Sequence, residues 1–422
     1  MKVFKFGGAS VKDAEAVKNV KSILDKFPND QLFVVVSAMG KTTNALEKIT
    51  EALFNKDYDQ FRELIQERKQ FHLAILNELF EDKTHPVFKE IQDIFNDLGN
   101  RVNIAISENY DFEYDQIVSL GEVVSTKIIH AYLGLFQNDV NWADARRLIR
   151  TNNNYRYADV DWKKTEELLL NYRNKFPSKR IFITQGFLGH TPENFTTTLG
   201  REGSDFTAGI VAFCLNAKSV TIWKDVPGML NADPKWFDNT VKLDKISFKE
   251  AIELAYYGAS VIHPKTLKPL QNKTIPLYVK SFISPEAEGT VIQQSTENDS
   301  LIPSFIFKMN QTLLSITPKD FSFIAEENMS FIFKAMSEIG LRINVMQNSA
   351  LSFSVCFDEN ERKLEELVER LSMDYIVRFN KDLELVTIRH YDAETIERLT
   401  ERKDILLEQK TRQTVRIVMK DI

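Results

Sequence analysis

Hydrophobic positions along this chain of 422 residues follow two different rhythms. In the first part, short apolar runs alternate with longer segments whose apolar residues recur every three or four positions. The runs at residues 3–6, 32–37, 181–185, 220–223 and 276–279 have strand length and few polar positions, as strands buried on both faces do. Residues 11–25, 122–135 and 207–215 carry the helical period. Buried strands separated by helices predict an α/β fold: a mostly parallel sheet with helices on both faces. Residues 50–115 depart from this alternation. They are charged, with a helical rhythm through Phe61, Leu64, Ile65, Phe71, Ile75, Leu76 and Leu79, which predicts a small helical insert.

The last 120 or so residues read differently. Residues 312–317 predict a strand and 331–339 a helix, with Phe331, Ile332, Ala335, Met336 and Ile339 on one face. Strands follow at 342–347 and 350–357, a helix at 364–371 and a strand at 375–379. That β-α-β-β-α-β order is the ferredoxin-like plan. A strand at 383–388, a helix at 393–403 and a strand at 414–419 suggest a second, reduced copy.

Composition narrows the classes. Lys and Arg number 54 against 60 Asp and Glu, a net charge of −6, and no basic block stands out, so nucleic acid is not expected as a partner. No apolar run approaches the roughly 18 residues of a membrane span. The opening residues read as a strand at once, without the apolar core of a signal peptide. Cys214 and Cys356 lie in apolar runs and are expected to be reduced core residues of a cytoplasmic protein. Of fifteen glycines only Gly340 follows residue 290. Close approaches of backbone to ligand are therefore expected in the first part, and the polar stretch 293–304 marks a boundary.

One stretch concentrates the chemistry: TLGREGSDFTAGIVAFCLNAKSVTIWKDVPGMLNADP, residues 198–234. A loop with Gly200, Arg201, Gly203, Ser204 and Asp205 leads into an apolar helix, whose N-terminal N–H groups can face an anion. Arg201 can fork onto a carboxylate or phosphate. Asp205 can hold a metal or a lysine. The strand at 220–223 then delivers Asp225 and Gly228 at its C-terminal end, where open α/β sheets bind ligands. At the chain start, Lys5 ends a strand and Gly7 and Gly8 open the turn of KFGGASV. Gly40-Lys41-Thr42 mimics the end of a P-loop, but Val35 stands where the first glycine belongs.

Together these segments resemble the aspartate kinases of the amino acid kinase family. Further family-like segments follow in the family's order: VVVSAMGKTTNAL at 34–46, VSLGEVVST at 118–126, ITQGFLG at 183–189, WKDVPGMLNADP at 223–234 and YGASVIHPKT at 257–266. The resemblance implies a catalytic domain over 1–295, with the 50–115 insert over the substrate site. It makes 300–422 similar to ACT modules, which sense amino acids and pair, with the second unit reduced. ACT modules carry a glycine at the first strand-to-helix turn, and ITPKDFSFIAEENMSF at 316–331 has none.

The activity so implied is transfer of the ATP γ-phosphoryl group to the side-chain carboxylate of L-aspartate, with Mg²⁺. This is the entry step to lysine, threonine and methionine synthesis. A carboxylate of ordinary pKa near ~3.9 is already a nucleophile at neutral pH. It needs charge neutralisation and in-line positioning rather than a base. By the resemblance, Lys5 neutralises the transferring group and Asp205 orients Lys5 or holds Mg²⁺. Arg201 takes a substrate carboxylate, Glu122 the substrate ammonium, and Thr43, Ser37 and Ser204 hydrogen-bond the substrate. Gly7, Gly8 and Ser10 cradle phosphate. Lys224, Asp225, Leu230, Lys235 and Ser260 serve the nucleotide.

The chain departs from the family pattern at Ala9, where Thr is usual, and at Glu202, which replaces a glycine. Lys224 stands in place of a small polar residue, and Ser260 where a nucleotide-binding Lys is often found. Lys224 is a candidate replacement for that charge. The alternative reading is a catalytically weak, amino-acid-binding regulatory subunit, favoured by Ala9, Glu202 and Ser260. The retained Lys5, Glu122, Arg201 and Asp205 favour the enzyme. A sister kinase acting on glutamate, carbamate or UMP sits poorly with the ACT-like tail. A fused homoserine dehydrogenase is not expected, since no Gly-x-Gly-x-x-Gly follows residue 290. The tail implies a homodimer or higher oligomer, with lysine or threonine as effector.

Overall fold

A computed structural model describes every residue except 105, 201, 238, 260, 261 and 321. Two compact units emerge: Met1–Met229, Asp244–Ala251 and Val261–Thr296 in the first, and Leu230–Leu243, Ile252–Ser260 and Glu297–Ile422 in the second.

The first unit holds strands β1 (Lys2–Phe6), β2 (Leu32–Val36), β3 (Val140–Ala143), β4 (Ile181–Gln185), β5 (Leu188–His190), β6 (Thr196–Thr198), β7 (Val220–Lys224), β8 (Lys245–Ser247), β9 (Leu277–Ser281) and β10 (Thr290–Gln293). Its helices are α1 (Ala14–Asp25), α2 (Thr42–Phe54), α3 (Tyr58–Leu79), α4 (Pro86–Gly99), α5 (Tyr110–Val118), α6 (Leu120–Gly134), α7 (Trp162–Lys175) and α8 (Gly203–Cys214). Helix α9 (Phe248–Tyr257) begins in this unit and ends in the second, and α10 (Pro264–Asn272) returns to the first.

Among the described residues the main sheet runs β3-β4-β2-β1-β7-β9-β10-β8. All pairings from β3 to β9 are parallel, and β10 is antiparallel to β9. Every residue of β2 and β4 is buried, which requires cover on both faces of the sheet. Strand residues Phe4, Phe6, Val34, Val36 and Ile183 share one core with α1 to α6, including Phe61, Ile65, Ile75 and Leu79 of the long charged helix. Among the described residues, the helical rhythm of 50–115 is α3 and α4 with the adjoining parts of α2 and α5, and their apolar stripe belongs to the core of the sheet.

The second unit has a sheet ordered β12-β13-β11-β14-β16-β15, made of β11 (Ser304–Pro318), β12 (Ile343–Asn348), β13 (Phe353–Asp358), β14 (Tyr375–Arg389), β15 (Lys403–Lys410) and β16 (Thr414–Asp421). All its pairings are antiparallel. With α11 (Glu326–Ile339) and α12 (Glu361–Leu371) the first half is ferredoxin-like, and α13 (Ala393–Thr400) serves the second. Gly340, the one late glycine, ends α11 in the left-handed region at φ 68°. The strands expected at 375–379 and 383–388 are one. β11 and β14 pair along their length, and Asn310 and Asp382 absorb the register shift between Lys308 and Leu313 with left-handed backbone. Each long strand therefore belongs to both halves.

Candidate active site

β1 lies between β2 and β7, so the connections out of the sheet part to opposite sides beside it. Ligands of open α/β sheets sit at the C-terminal ends of the strands at such a point. Lys5 is the penultimate residue of β1, in register with Val35 and Ile222. Its neighbours Phe4 and Phe6 are core, and Lys5 itself is only 8% exposed. Its Nζ lies 2.7 Å from Asp205 Oδ1. Asp205 is in the first turn of α8, where the helix dipole favours a carboxylate. Lys224, the last residue of β7, places its Nζ 4.0 Å from Asp205 Oδ2. One buried carboxylate therefore faces two cations.

These three residues open onto a cavity of about 560 Å³ whose walls also carry Ser37, Thr43, Glu122 and Ser204. Ser37 follows β2. Its N–H donates to Phe6 O at 3.1 Å and its carbonyl accepts from Ser125 Oγ at 2.8 Å, which leaves the hydroxyl to the cavity. Thr43 lies in the first turn of α2, while its neighbour Thr42 is buried and donates to Met39 O at 2.6 Å. Glu122 opens α6 and is buried. Its Oε1 accepts weakly from the Ala38 N–H at 3.4 Å, and Oε2 has no hydrogen-bond partner. Burial pushes this carboxyl up to about 8. A buried polar atom left unpaired is costly and calls for a ligand.

Other expected site residues stand apart. Gly7 and Gly8 form the turn after β1 beside the cavity wall, where a Cβ on Gly7 would lie 3.3 Å from Lys5 Nζ and one on Gly8 2.9 Å from Ala38 O. Ser10 is buried and donates to Trp223 O at 3.3 Å, so its hydroxyl is already engaged. Asp225 is exposed just past β7. Leu230, which bridges to Lys242, and the exposed Lys235 belong to the second unit. Arg201 and Ser260 lie outside the described residues.

Sequence reading missed part of the wall: Glu47, Tyr114, Arg156, Tyr157, Phe187 and Thr198. Tyr114 Oη donates to Glu47 Oε1 at 2.6 Å, and the Arg156 guanidinium lies 4.5 Å from the Tyr114 ring centroid. Burial, with the adjacent Glu47, keeps the Tyr114 phenol protonated. Arg156 holds φ at +67°, and its N–H donates to Asp115, which also accepts both N–H and Oγ1 of Thr198. Burial raises the Asp115 carboxyl to about 6. A polar run with Tyr-Arg-Tyr was the available signal, but nothing in spacing ties it to α5.

Backbone shape explains two sequence features. Glu202, which replaces the family's glycine, holds φ at +55° as the residue before α8, where glycine carries no penalty. Its side chain is exposed at the cavity rim. Gly186 packs against the same helix start: a Cβ there would lie 2.4 Å from Ser204 Oγ and 2.9 Å from Ser204 Cα. Gly186→Ala should shift the first turn of α8, at about 1–3 kcal/mol for overpacking. The expected result is a lower Tm with a raised KM for the cavity's ligand. Wild-type values of both would contradict this packing.

Among the described residues no three His, Cys, Asp or Glu side chains converge on a metal position, and no helix is long and apolar enough to cross a membrane. Residues 1–281 match the family model described as "Amino acid kinase family". Lysine-sensitive aspartokinase 3 of Escherichia coli is 32% identical over 360 residues, covering 84% of this chain and 78% of that protein. Aspartokinase 2, chloroplastic, of Arabidopsis thaliana is 30% identical over 401 residues, covering 92% and 71%. The crystal structure of E. coli aspartokinase III with aspartate and ADP, in its R-state, superposes with a TM-score of 0.80 at 28% identity, covering 99% of this chain and 96% of that one. The same enzyme with lysine and aspartate, in its T-state, gives a TM-score of 0.81 at 28% identity, covering 99% and 95%.

Proposed function

The chain belongs to the amino acid kinase family and within it to the aspartokinases, and on that premise we propose how its cavity performs the reaction. The enzyme transfers the γ-phosphoryl group of ATP to the side-chain carboxylate of L-aspartate, giving 4-phospho-L-aspartate and ADP. The observation that carries the assignment of roles is the buried Lys5–Asp205 pair in one cavity with a buried, half-partnered Glu122.

The attacking carboxylate is ionised already, so catalysis rests on charge and position. Lys5, held by Asp205, supplies a fixed positive charge beside the transferring group, where negative charge accumulates. Glu122 receives the substrate ammonium, and its free Oε2 is the acceptor that group requires. Ser37, Thr43 and Ser204 hydrogen-bond the carboxylates, and Arg201 is assigned to the substrate α-carboxylate by the family resemblance. Mg²⁺ fits a site of this kind. It takes one or two protein carboxylates and fills its shell with phosphate and water, and Asp205 Oδ2 lies beyond hydrogen-bonding range of Lys224. When bound, the metal would neutralise phosphate charge. The regulatory-subunit alternative is weaker, because a pure effector site has no use for a lysine buried against an aspartate at the switch point.

The direct test is ADP release from Mg-ATP with aspartate, glutamate or no acceptor. Aspartate-dependent turnover supports the reading. Equal turnover without acceptor would refute it. Lys224 supplies the nucleotide charge that Ser260 lacks, so Lys224→Ala should raise the ATP KM by about tenfold, the loss expected of one charged contact. An unchanged ATP KM would remove Lys224 from that role. Lysine is the expected effector, acting on a homodimer of the second unit in a cytoplasmic enzyme. Millimolar lysine that alters neither rate nor Tm would end that part of the proposal.

A further inference from the structure

A second cavity of about 560 Å³ opens in the first unit, walled by Arg146, Arg147, Arg150, His190, Asn194 and Thr196 together with Leu168 and one carboxylate, Asp144. It shares no lining residue with the catalytic cavity. Thr196, at the start of β6, lines this cavity, and Thr198, at its end, lines the catalytic one.

The fold holds these side chains firmly. After β3 the chain makes a 3₁₀ turn, Ala145–Arg147, capped by Asp144. Arg150 and His190 are then bridged backbone to backbone: His190 N–H donates to Ile149 O, and Thr151 N–H to His190 O, both at 2.8 Å. Thr196 is fixed by Gln116, which donates to its carbonyl at 2.8 Å and accepts from its N–H at 3.2 Å.

The charge balance is positive. Asp144 answers Arg146 with two hydrogen bonds, at 2.9 and 2.8 Å. Among the described residues Arg147 and Arg150 have no ion-pair partner. Glu193, on the β5–β6 turn, is exposed, and a hydrogen bond from the Thr191 side chain and, to a lesser degree, the Arg150 charge favour its ionised form. Arg150 Nε is buried without a hydrogen bond. His190 is 3% exposed; the Thr191 backbone and the Asn194 side chain lie beside its ring, but neither ring nitrogen makes a hydrogen bond of good geometry. Burial and the Arg150 charge both lower its pKa, so the neutral ring offers one donor. Buried donors without acceptors are rare in folded proteins unless a ligand or water completes them.

We propose that this cavity binds a small phosphoryl dianion, inorganic phosphate or a phosphate monoester, through Arg147, Arg150 and His190, with Asn194 and Thr196 at its rim. Two unmatched guanidinium groups call for two negative charges. The donors come from two chain segments, the turn after β3 and the β5–β6 hairpin, a spread that suits the tetrahedral oxygens of phosphate better than a planar carboxylate.

Phosphorus NMR and calorimetric titrations of the full chain in chloride buffer test this with inorganic phosphate, glycerol phosphate and succinate. Phosphate or the monoester should bind with Kd on the order of 1 mM or tighter, and the tighter of the two identifies the source. Arg150→Gln should weaken binding by about tenfold or more. Arg147→Gln, on an exposed side chain that leaves folding intact, should weaken it by about threefold. Lys5→Ala should leave it unchanged. Wild-type affinity in both arginine variants, loss of binding only in Lys5→Ala, or succinate binding as tightly as phosphate would each overturn the proposal.

Discussion

Lys5→Ala is expected to lower kcat by about a thousandfold or more, the scale of removing one fixed charge or donor from a developing anion. The same change strips Asp205 of its 2.7 Å partner, leaving a carboxylate that is 4% exposed with Lys224 at 4.0 Å. Breaking a buried pair from one side costs about 3–5 kcal/mol. Lys224 can swing toward Asp205 and recover part of that, at the expense of its own place on the nucleotide. Stability and activity should therefore separate in a pair of variants. Lys5→Ala alone loses both. Lys5→Met with Asp205→Asn, which removes both charges, should regain much of the Tm and none of the turnover. Thermal melts and steady-state rates on the same preparations decide the matter. If Lys5→Ala keeps turnover within about tenfold of wild type, the lysine is a structural ion-pair partner and the phosphoryl group is stabilised elsewhere.

The centre of this site was legible because its residues sit where local rules are strict. A lysine at a strand end before two glycines, and an aspartate at a glycine-flanked helix start, combine chemistry with backbone demands that few other folds make. The buried strands were legible for a similar reason, since β2 and β4 carry unbroken apolar runs that only a doubly covered sheet can hide. The far wall was not legible. Glu47, Tyr114 and Arg156 arrive from α2, α5 and a turn, and each alone reads as a solvated charge or a core aromatic. Their meaning lies in a tertiary contact, the 2.6 Å bond from Tyr114 to Glu47 under the Arg156 guanidinium. The β11 and β14 strands misled for the opposite reason. Asn310 and Asp382 are turn residues by type, and here they spend their left-handed backbone inside a continuous ladder.

Glu122 gives the second large effect, and its direction follows from burial. Burial raises its carboxyl from 4.5 to about 8, so at neutral pH it is mostly neutral. A substrate ammonium needs the carboxylate. Binding aspartate below that pKa must therefore expel a proton, and the KM for aspartate should fall by up to about tenfold per pH unit as pH rises toward 8, then level off. Stability runs the other way. The folded-state pKa lies above the unfolded one, so the contribution of the neutral group is complete below about pH 4.5 and is lost as pH rises through 8. The free enzyme should melt lower across that window, and aspartate should stabilise it most at the alkaline end. Glu122→Gln keeps the shape and removes the titration. It should bind aspartate weakly at every pH, with a flat profile and no proton release in calorimetry run in buffers of different ionisation enthalpy. A wild-type KM that stays level from about pH 6.5 to 8.5, or a Gln variant that retains the slope, would show that Glu122 does not meet the substrate ammonium.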